Sequence, residues 1–306
     1  MTKWNGKSNK KLIHKSRIFE YNSPGNGLFI MDLTDITNIK KILRTFGAYS
    51  RKELGQHFLI DESALDTILE TAKVTDKDTI VEVGPGMGIL TRELLKRAKK
   101  VIAVELDETM IQVLKTACMK YTNLIIENKD ILKFNPDNLG PYKVVSNLPY
   151  YITSPTIRRF LEAENKPTEM ILMMQKEVAD RICAKPSRMS ILAVSVQFYG
   201  DPVNVATIPR ASFFPAPQVD SAIVKIKVYK KPLFDVDNAV FFKIVKAGFG
   251  EKRKQLINSL SGGLLLNKDT VENILMSANV SKEARAESLS LTEWHDIYLS
   301  YLEALA

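Results

Sequence analysis

Cysteine and histidine are scarce in this chain: Cys118 and Cys183 are the only cysteines in 306 residues, with three histidines beside them. Two distant cysteines cannot supply a disulfide framework, and no short-spaced ligand pair suggests a metal site, so none is expected. The thiols read instead as reduced structural groups of a cytoplasmic protein. Long apolar runs are lacking too. No uncharged stretch approaches the roughly 18 residues that a membrane span needs, so the sequence reads as soluble with no membrane partner. Internal repeats and low-complexity blocks are also missing. What is present is a 45% hydrophobic content, enough for one substantial core and a smaller domain.

The net charge of +8 is unevenly spread. Lys3, Lys7, Lys10, Lys11, Lys15 and Arg17 face only Glu20 within residues 1–30, so +5 of the total belongs to that tail. The tail has no apolar core for a secretory signal and is a poor match to an Arg- and Ser-rich transit peptide. A flexible basic arm, a targeting segment and sequence upstream of a natural start remain as readings; disorder before Met31, without a catalytic role, is expected. The second concentration is Lys243, Lys246, Lys252, Arg253 and Lys254, opposed between 243 and 254 only by Glu251. Such a patch can neutralise phosphates, with Lys252, Arg253 and Lys254 as the candidate RNA contacts.

Chemistry concentrates where β-branched runs end. Residues 79–83 break into Gly84-Pro85-Gly86-Met87-Gly88, and a helical pattern starts near Ile89. Glycines at such a turn let backbone approach a ligand closely. Twenty-one residues after Gly84, a second apolar run ends in Glu105, whose carboxylate can accept from both hydroxyls of a ribose. The dinucleotide fingerprint needs Gly or Ala where Ile89 stands, which disfavours a dehydrogenase. A third run leads to Asp130, a candidate acceptor for a cofactor adenine's amine. The fourth ends in Ser146-Asn147-Leu148-Pro149-Tyr150. Here Asn offers a carboxamide, Pro a backbone carbonyl without an N–H of its own, and Tyr a ring face; together they suit a planar exocyclic amine such as adenine's. All these groups sit past the C-terminal ends of expected strands, where open parallel sheets bind ligands.

From about Lys52 onward the chain closely resembles the rRNA adenine N6,N6-dimethyltransferases, the KsgA family. Seven ordered blocks carry the resemblance: residues 53–61 (Glu-Leu-Gly-Gln-His-Phe-Leu-Ile-Asp), the 82–88 loop, Glu105-Leu106-Asp107, Asp130, Asn147-Leu148-Pro149-Tyr150, Gln175-Lys176-Glu177-Val178, and residues 213–221 (Phe-Phe-Pro-Ala-Pro-Gln-Val-Asp-Ser). The resemblance implies S-adenosyl-L-methionine (AdoMet) as cofactor, enclosed by His57 and Leu59, with Gly84 and Gly86 under it, Glu105 on the ribose and Asp130 on the adenine. Family members usually carry Asn where His57 stands. It further implies dimethylation of two adjacent adenosines in the 3′-terminal hairpin of small-subunit rRNA within a pre-30S particle, by a monomer. Erm-type 23S rRNA methyltransferases share the cofactor blocks but usually read Asn-Ile-Pro-Tyr, lack Gln-Lys-Glu-Val, and favour Asn where Asp220 stands. A catalytically silent RNA-binding relative is the third reading. Residues 184–190 are shorter than the family's usual loop.

The expected fold is α/β: a class I, Rossmann-like AdoMet-dependent methyltransferase sheet with a small C-terminal helical domain. Alternating strands and helices over 79–174 predict a doubly wound parallel sheet, and strands at 203–208 and 219–228 a terminal antiparallel pair. The divisions are 1–47 for the basic tail and first helix, 48–230 for the methyltransferase domain, and 231–306 for a helical rRNA-docking domain, with helices expected at 241–248, 252–260, 268–278 and 291–305. In the expected site, Asn147 and the Pro149 carbonyl accept from the target amine. Tyr150 and Phe213 sandwich the flipped base, with Phe214 in the core.

Overall fold

The computed structural model describes residues 18–23, 27–47, 57–251 and 253–305. Residues 1–17 of the basic tail and Lys252 lie outside these. Where disorder was expected before Met31, β1 (Ile18–Ser23) and β2 (Gly27–Asp32) pair antiparallel, Ile18 opposite Asp32 and Ser23 opposite Gly27. The sequence carries that signal: aromatic and β-branched residues flank the punctuation Ser23-Pro24-Gly25-Asn26-Gly27. Helix α1 (Ile36–Thr45) follows, with the Asp35 carboxylate accepting from Thr37 N at 2.7 Å as its cap.

Beyond the short β3 (Phe58–Leu59) and α2 (Glu62–Ala72), strands and helices alternate: β4 (Thr79–Val83), α3 (Ile89–Leu95), β5 (Lys100–Glu105), α4 (Glu108–Ala117), β6 (Leu124–Asn128), β7 (Lys143–Asn147), α5 (Thr153–Leu161), β8 (Glu169–Gln175), α6 (Lys176–Ile182), α7 (Ile191–Tyr199), β9 (Gly200–Ile208), β10 (Phe213–Phe214) and β11 (Ser221–Val228). Seven of these strands form one sheet in the order β6-β5-β4-β7-β8-β11-β9. The first five are parallel, and β11 runs antiparallel to both β8 and β9. The expected doubly wound sheet with its terminal antiparallel pair is what the chain forms.

Period-two alternation divides the sheet's side chains between two cores. On one face Val81, Val83, Val144, Leu172 and Val224 join α5, α6 and α7; on the other Ile80, Val145, Ile171 and Ile223 join α1 to α4. Strands covered on both faces must be apolar throughout, which is why β8 reads Met-Ile-Leu-Met-Met with each of these residues at 0% exposure. The strand order reverses between β4 and β7. At that switch point the connections leave in opposite directions and open a crevice.

Four further helices complete the chain: α8 (Asn238–Phe249), α9 (Leu256–Leu264), α10 (Lys268–Ser277) and α11 (Leu291–Leu305). The break at Lys230-Lys231-Pro232 separates segments of chain, while the apolar packing continues across it. Phe241 of α8 stacks on Phe198 of α7 with centroids 5.0 Å apart, and Trp294 of α11 belongs to the same buried cluster as Val224. Helix α9 starts four residues later than the expected 252–260. Arg253 and Lys254 consequently lie in a turn, closed by Lys254 N donating to Glu251 O, instead of on a helix face.

Candidate active site

A cavity of about 530 Å³ opens at the switch point, within the size range of small-molecule sites. Its floor is the glycine loop. Gly84, Gly86 and Gly88 adopt φ of +64°, +55° and +82°, a region that side chains rarely tolerate. A Cβ on Gly84 would also lie 3.0 Å from the Pro149 ring, so the loop and the Asn147 turn are in direct contact. Two more bonds fix that junction: Ser146 Oγ donates to Val83 O at 2.6 Å, tying β7 to the end of β4, and Gly84 N donates to Val104 O at 2.9 Å.

Glu105 lies on the wall at the end of β5. Its Oε1 accepts from Leu106 N at 2.8 Å and Asp107 N at 2.9 Å, so the backbone aims the carboxylate. Burial raises its pKa, against the lowering effect of those N–H groups and of Gly86 N–H. Asp107 in turn caps α4 through Thr109 N and Met110 N. Asp130 departs from expectation: it does not line the cavity, and Oδ1 accepts from Leu132 N at 2.9 Å to cap a 3₁₀ turn. Its charge is felt by the Tyr151 phenol, which does line the cavity. That pKa is raised by burial and then by the charges of Glu105 and Asp130.

On the opposite wall the Asn147 carboxamide makes no hydrogen bond within the described chain, although it lines the cavity. The Pro149 carbonyl is not free as expected: it accepts from Ile152 N at 3.2 Å and Thr153 Oγ1 at 3.3 Å, because Pro149 opens a 3₁₀ turn. No donor among the described residues reaches the Leu148 carbonyl, one residue earlier. Leu148 buries its side chain and donates its N–H to Met173 O at 3.0 Å, which leaves that carbonyl as the unengaged backbone acceptor beside Asn147.

Tyr150 is held by two contacts. Its hydroxyl lies 2.7 Å from Ser221 Oγ, and its ring centroid is 5.5 Å from that of His57. His57 Nδ1 is 2.7 Å from Pro215 O, and β3 pairs antiparallel with β10, Leu59 opposite Phe213. This small pairing brings His57 and Leu59 to the cavity beside Phe213, which lies 154 residues after Leu59 in sequence. Phe213 faces the cavity yet is only 3% exposed, whereas Phe214 is half-buried, packs on the same core and lies under Lys40 Nζ at 5.4 Å. The division expected between them is blurred: Phe213 is both wall and core.

Several wall residues escaped the sequence reading. Leu106, 62% exposed beside Glu105, is a large apolar side chain left at a strand end, and Tyr151 is 55% exposed. Glu82 is 1% exposed on the cavity floor, with Oε2 lacking a hydrogen-bond partner among the described residues. Burial raises its pKa to about 8, the Glu105 charge adds to the rise, and the adjacent Thr91 hydroxyl opposes it. Its signal was its place inside an otherwise apolar strand. Nearby, Arg92 is fully buried with Nε and Nη1 likewise unpartnered.

Taken as chemistry, the cavity joins a glycine floor, a carboxylate wall at Glu105 and a pair of unengaged oxygens at Asn147 and Leu148. These fit a nucleoside-bearing cofactor on one side and a base amine on the other. Among the described residues no group of three His, Cys, Asp or Glu side chains is placed to hold a metal ion, and no helix is long and apolar enough to cross a membrane.

The chain is similar in sequence and fold to several known proteins. Ribosomal RNA small subunit methyltransferase A of Dehalococcoides mccartyi is 46% identical over 267 residues, covering 86% of this chain and 92% of the relative. The protein of that name from Clostridioides difficile is 44% identical over 265 residues, covering 83% and 92%. Among solved structures, a dimethyladenosine transferase from Plasmodium falciparum superposes with a TM-score of 0.70 at 26% identity, over 80% of this chain and 98% of its own. The 23S rRNA methyltransferase ErmE gives 0.65 at 28%, over 79% and 98%. The family described as ribosomal RNA adenine dimethylase matches residues 47–301, and the chain belongs to that family of methyltransferases.

Proposed function

We propose that the chain uses AdoMet to dimethylate N6 of two adjacent adenosines in the 3′-terminal hairpin of 16S rRNA. It acts as a cytoplasmic monomer on a pre-30S particle during ribosome biogenesis. One observation carries the reading: Pro149 of the base-holding turn lies so close to Gly84 of the cofactor loop that a Cβ there would come within 3.0 Å of its ring, so donor and acceptor subsites share a wall. The Glu105 carboxylate holds the ribose, and Asp130 receives the adenine amine beside Tyr151. When bound, AdoMet supplies a methyl group already activated on a sulfonium. Adenine N6 is a poor nucleophile while its lone pair is delocalised into the ring. Hydrogen bonds from its two protons to Asn147 Oδ1 and the Leu148 carbonyl favour a pyramidal nitrogen with the lone pair aimed at the methyl. Tyr150, held by Ser221, stacks on the flipped base, and Phe213 closes the other side. Orientation supplies most of the acceleration, and the amine loses its proton to solvent after transfer.

The 48–230 segment is the methyltransferase domain in this reading, and 231–306 docks rRNA. Lys252, Arg253 and Lys254 contact phosphates, Lys254 least because Glu251 already pairs with it at 2.5 Å. Neutralising all three should leave AdoMet affinity intact and lower the log–log salt slope of subunit binding by roughly 0.7 to 0.9 per lost contact. The decisive test is tritiated-methyl transfer to unmethylated small and large subunits in parallel, followed by nucleoside analysis. Label in dimethyladenosine of the small subunit is expected. Label confined to the large subunit would replace this reading with the Erm-type activity.

A further inference from the structure

Tyr150 carries a hydroxyl that base stacking does not need, since a phenyl ring offers the same face. In this chain the hydroxyl has a dedicated seat. It lies 2.7 Å from Ser221 Oγ, and among the described residues neither hydroxyl makes another hydrogen bond. Burial raises the Tyr150 pKa, against the lowering effect of the Ser221 bond, so the phenol stays neutral and able to share a proton with Ser221. Ser221 is fully buried and opens β11, where it stands between Gln175 of β8 and Ile208 of β9. Because β11 runs antiparallel, its start reaches the edge of the sheet at which β7 ends in Asn147 and β8 in Gln175. The bond therefore ties the Tyr150 ring to the sheet itself. A second restraint is His57, whose ring centroid is 5.5 Å away and whose Nδ1 is anchored 2.7 Å from Pro215 O.

Two methyl transfers to one nitrogen are not equivalent. Adenine N6 enters with two protons, which match the two open oxygens at Asn147 and Leu148. In each transfer the N6–carbon bond forms as the sulfur–carbon bond of the donor breaks, leaving a neutral thioether, and one N6 proton passes to solvent. The monomethylated base thus presents one proton to two acceptors, and one of those oxygens goes without a partner. With half of the directional hold gone, the orientation of the base depends more on the ring faces that enclose it. A Tyr150 ring free to tilt would serve the first transfer better than the second.

Resting on the function proposed above, we infer that Ser221 is a positioning residue for the second methyl transfer. Its hydroxyl fixes the Tyr150 ring, so that the monomethylated base, short of one hydrogen bond, is still held in line with the donor. Ser221 touches neither base nor cofactor in this account and acts only through Tyr150.

The test compares wild type with Ser221→Ala, Tyr150→Phe and the double variant, each saturated with AdoMet and given unmethylated small subunits. Nucleoside analysis over time separates monomethyladenosine from dimethyladenosine and gives a rate for each transfer. In Ser221→Ala the second transfer should slow roughly 2- to 10-fold more than the first, the worth of one neutral hydrogen bond, so monomethyladenosine accumulates. Tyr150→Phe keeps the ring and removes the same bond, so it should shift the product ratio alike, and the double variant should add nothing further. AdoMet affinity of Ser221→Ala, read by calorimetry, should match wild type and reports that the chain is folded. Equal slowing of both transfers would overturn the proposal and leave Ser221 as packing alone, as would a wild-type product ratio in either single variant. If Ser221→Ala does not fold, Tyr150→Phe decides, because it leaves β11 untouched. A wild type that forms no dimethyladenosine would sink the parent reading instead.

Discussion

In the proposed reaction Asn147 contributes most where the amine changes shape. In the ground state its carboxamide accepts from a neutral amino group, but as the methyl transfers, the nitrogen and its protons become positive. A hydrogen bond to such a charged donor is worth roughly 1.5 to 3 kcal/mol, against about 1 for a neutral one. Only the difference, roughly 0.5 to 2 kcal/mol, slows the step, so Asn147→Ala should keep AdoMet affinity and lose roughly 2- to 30-fold in single-turnover rate on small subunits. A wild-type rate would remove Asn147 from the reaction. Glu82 makes a different prediction, about pH. With a folded-state pKa of about 8 against an ordinary 4.5, it is protonated in both folded and unfolded chains below 4.5 and costs nothing there. As pH rises from 4.5 through about 8, the unfolded chain ionises it freely while the folded apo-protein must hold a proton or bury a charge. Stability from this group is thus lost toward alkaline pH, on the order of a few kcal/mol. Glu82→Gln removes the titration, so its Tm advantage over wild type, measured without ligand, should widen across that window. A constant gap would exclude Glu82 as the cause. At this scale the sequence was legible for position, since Glu105 and Asn147 both line the cavity. It was not legible where backbone decides: the 3₁₀ turn engages Pro149 O and leaves Leu148 O open, which no residue pattern announces.

Elements were legible wherever local pattern and packing agree. The buried run of β8 and the glycine break after β4 needed no tertiary information, and α10 and α11 fall close to their expected ranges. The exceptions are elements made by long-range contact. The two-residue strands β3 and β10 have no periodicity of their own; they exist because residues 58–59 meet 213–214. The late start of α9 has a similar cause, since Leu256 is fully buried and donates its N–H to Ala284 O at 2.7 Å, fixing the chain there. Helix α8 depends on one close approach. A Cβ at Gly248 would overlap the Trp294 indole, which is fully buried and stacked on Phe249 at 5.6 Å. Alanine gains about 1 kcal/mol of helix propensity over glycine, but overpacking typically costs about 1 to 3 kcal/mol. Gly248→Ala should accordingly lower Tm. Gly262→Ala in α9 is the matched control: nothing lies within 4 Å of its added methyl, so Tm should hold or rise. If both substitutions raise Tm, the α8–α11 contact is looser than described.

Across the whole molecule the cavity is a junction. The glycine loop and Glu105 come from one half of the sheet and Asn147 to Tyr150 from the other, while His57, Leu59 and Phe213 come from the β3–β10 pairing outside it. A ligand seated there contacts segments spread from residue 57 to residue 213, so its binding energy is shared by parts of the chain that otherwise meet only through the core. Any ligand that binds only the folded state stabilises it by mass action, about 2.7 kcal/mol at a hundredfold excess over Kd. AdoMet at that excess should raise Tm by several degrees, with amide-exchange protection appearing together in residues 58–59, 84–88, 105–107 and 213–214. NAD should do neither, because Ile89 occupies the position where the dinucleotide fingerprint needs Gly or Ala. Glu105→Ala should weaken AdoMet by roughly 1 to 3 kcal/mol, the worth of a buried charge-assisted bond, and shrink the Tm shift in proportion. The pattern of protection is the sharper readout. If AdoMet protects residues 84–107 but leaves 58–59 and 213–214 exchanging as before, the cofactor sits on the sheet alone, and the β3–β10 pairing serves the base rather than the donor. If NAD protects the same four segments, the assignment of the glycine loop to AdoMet fails.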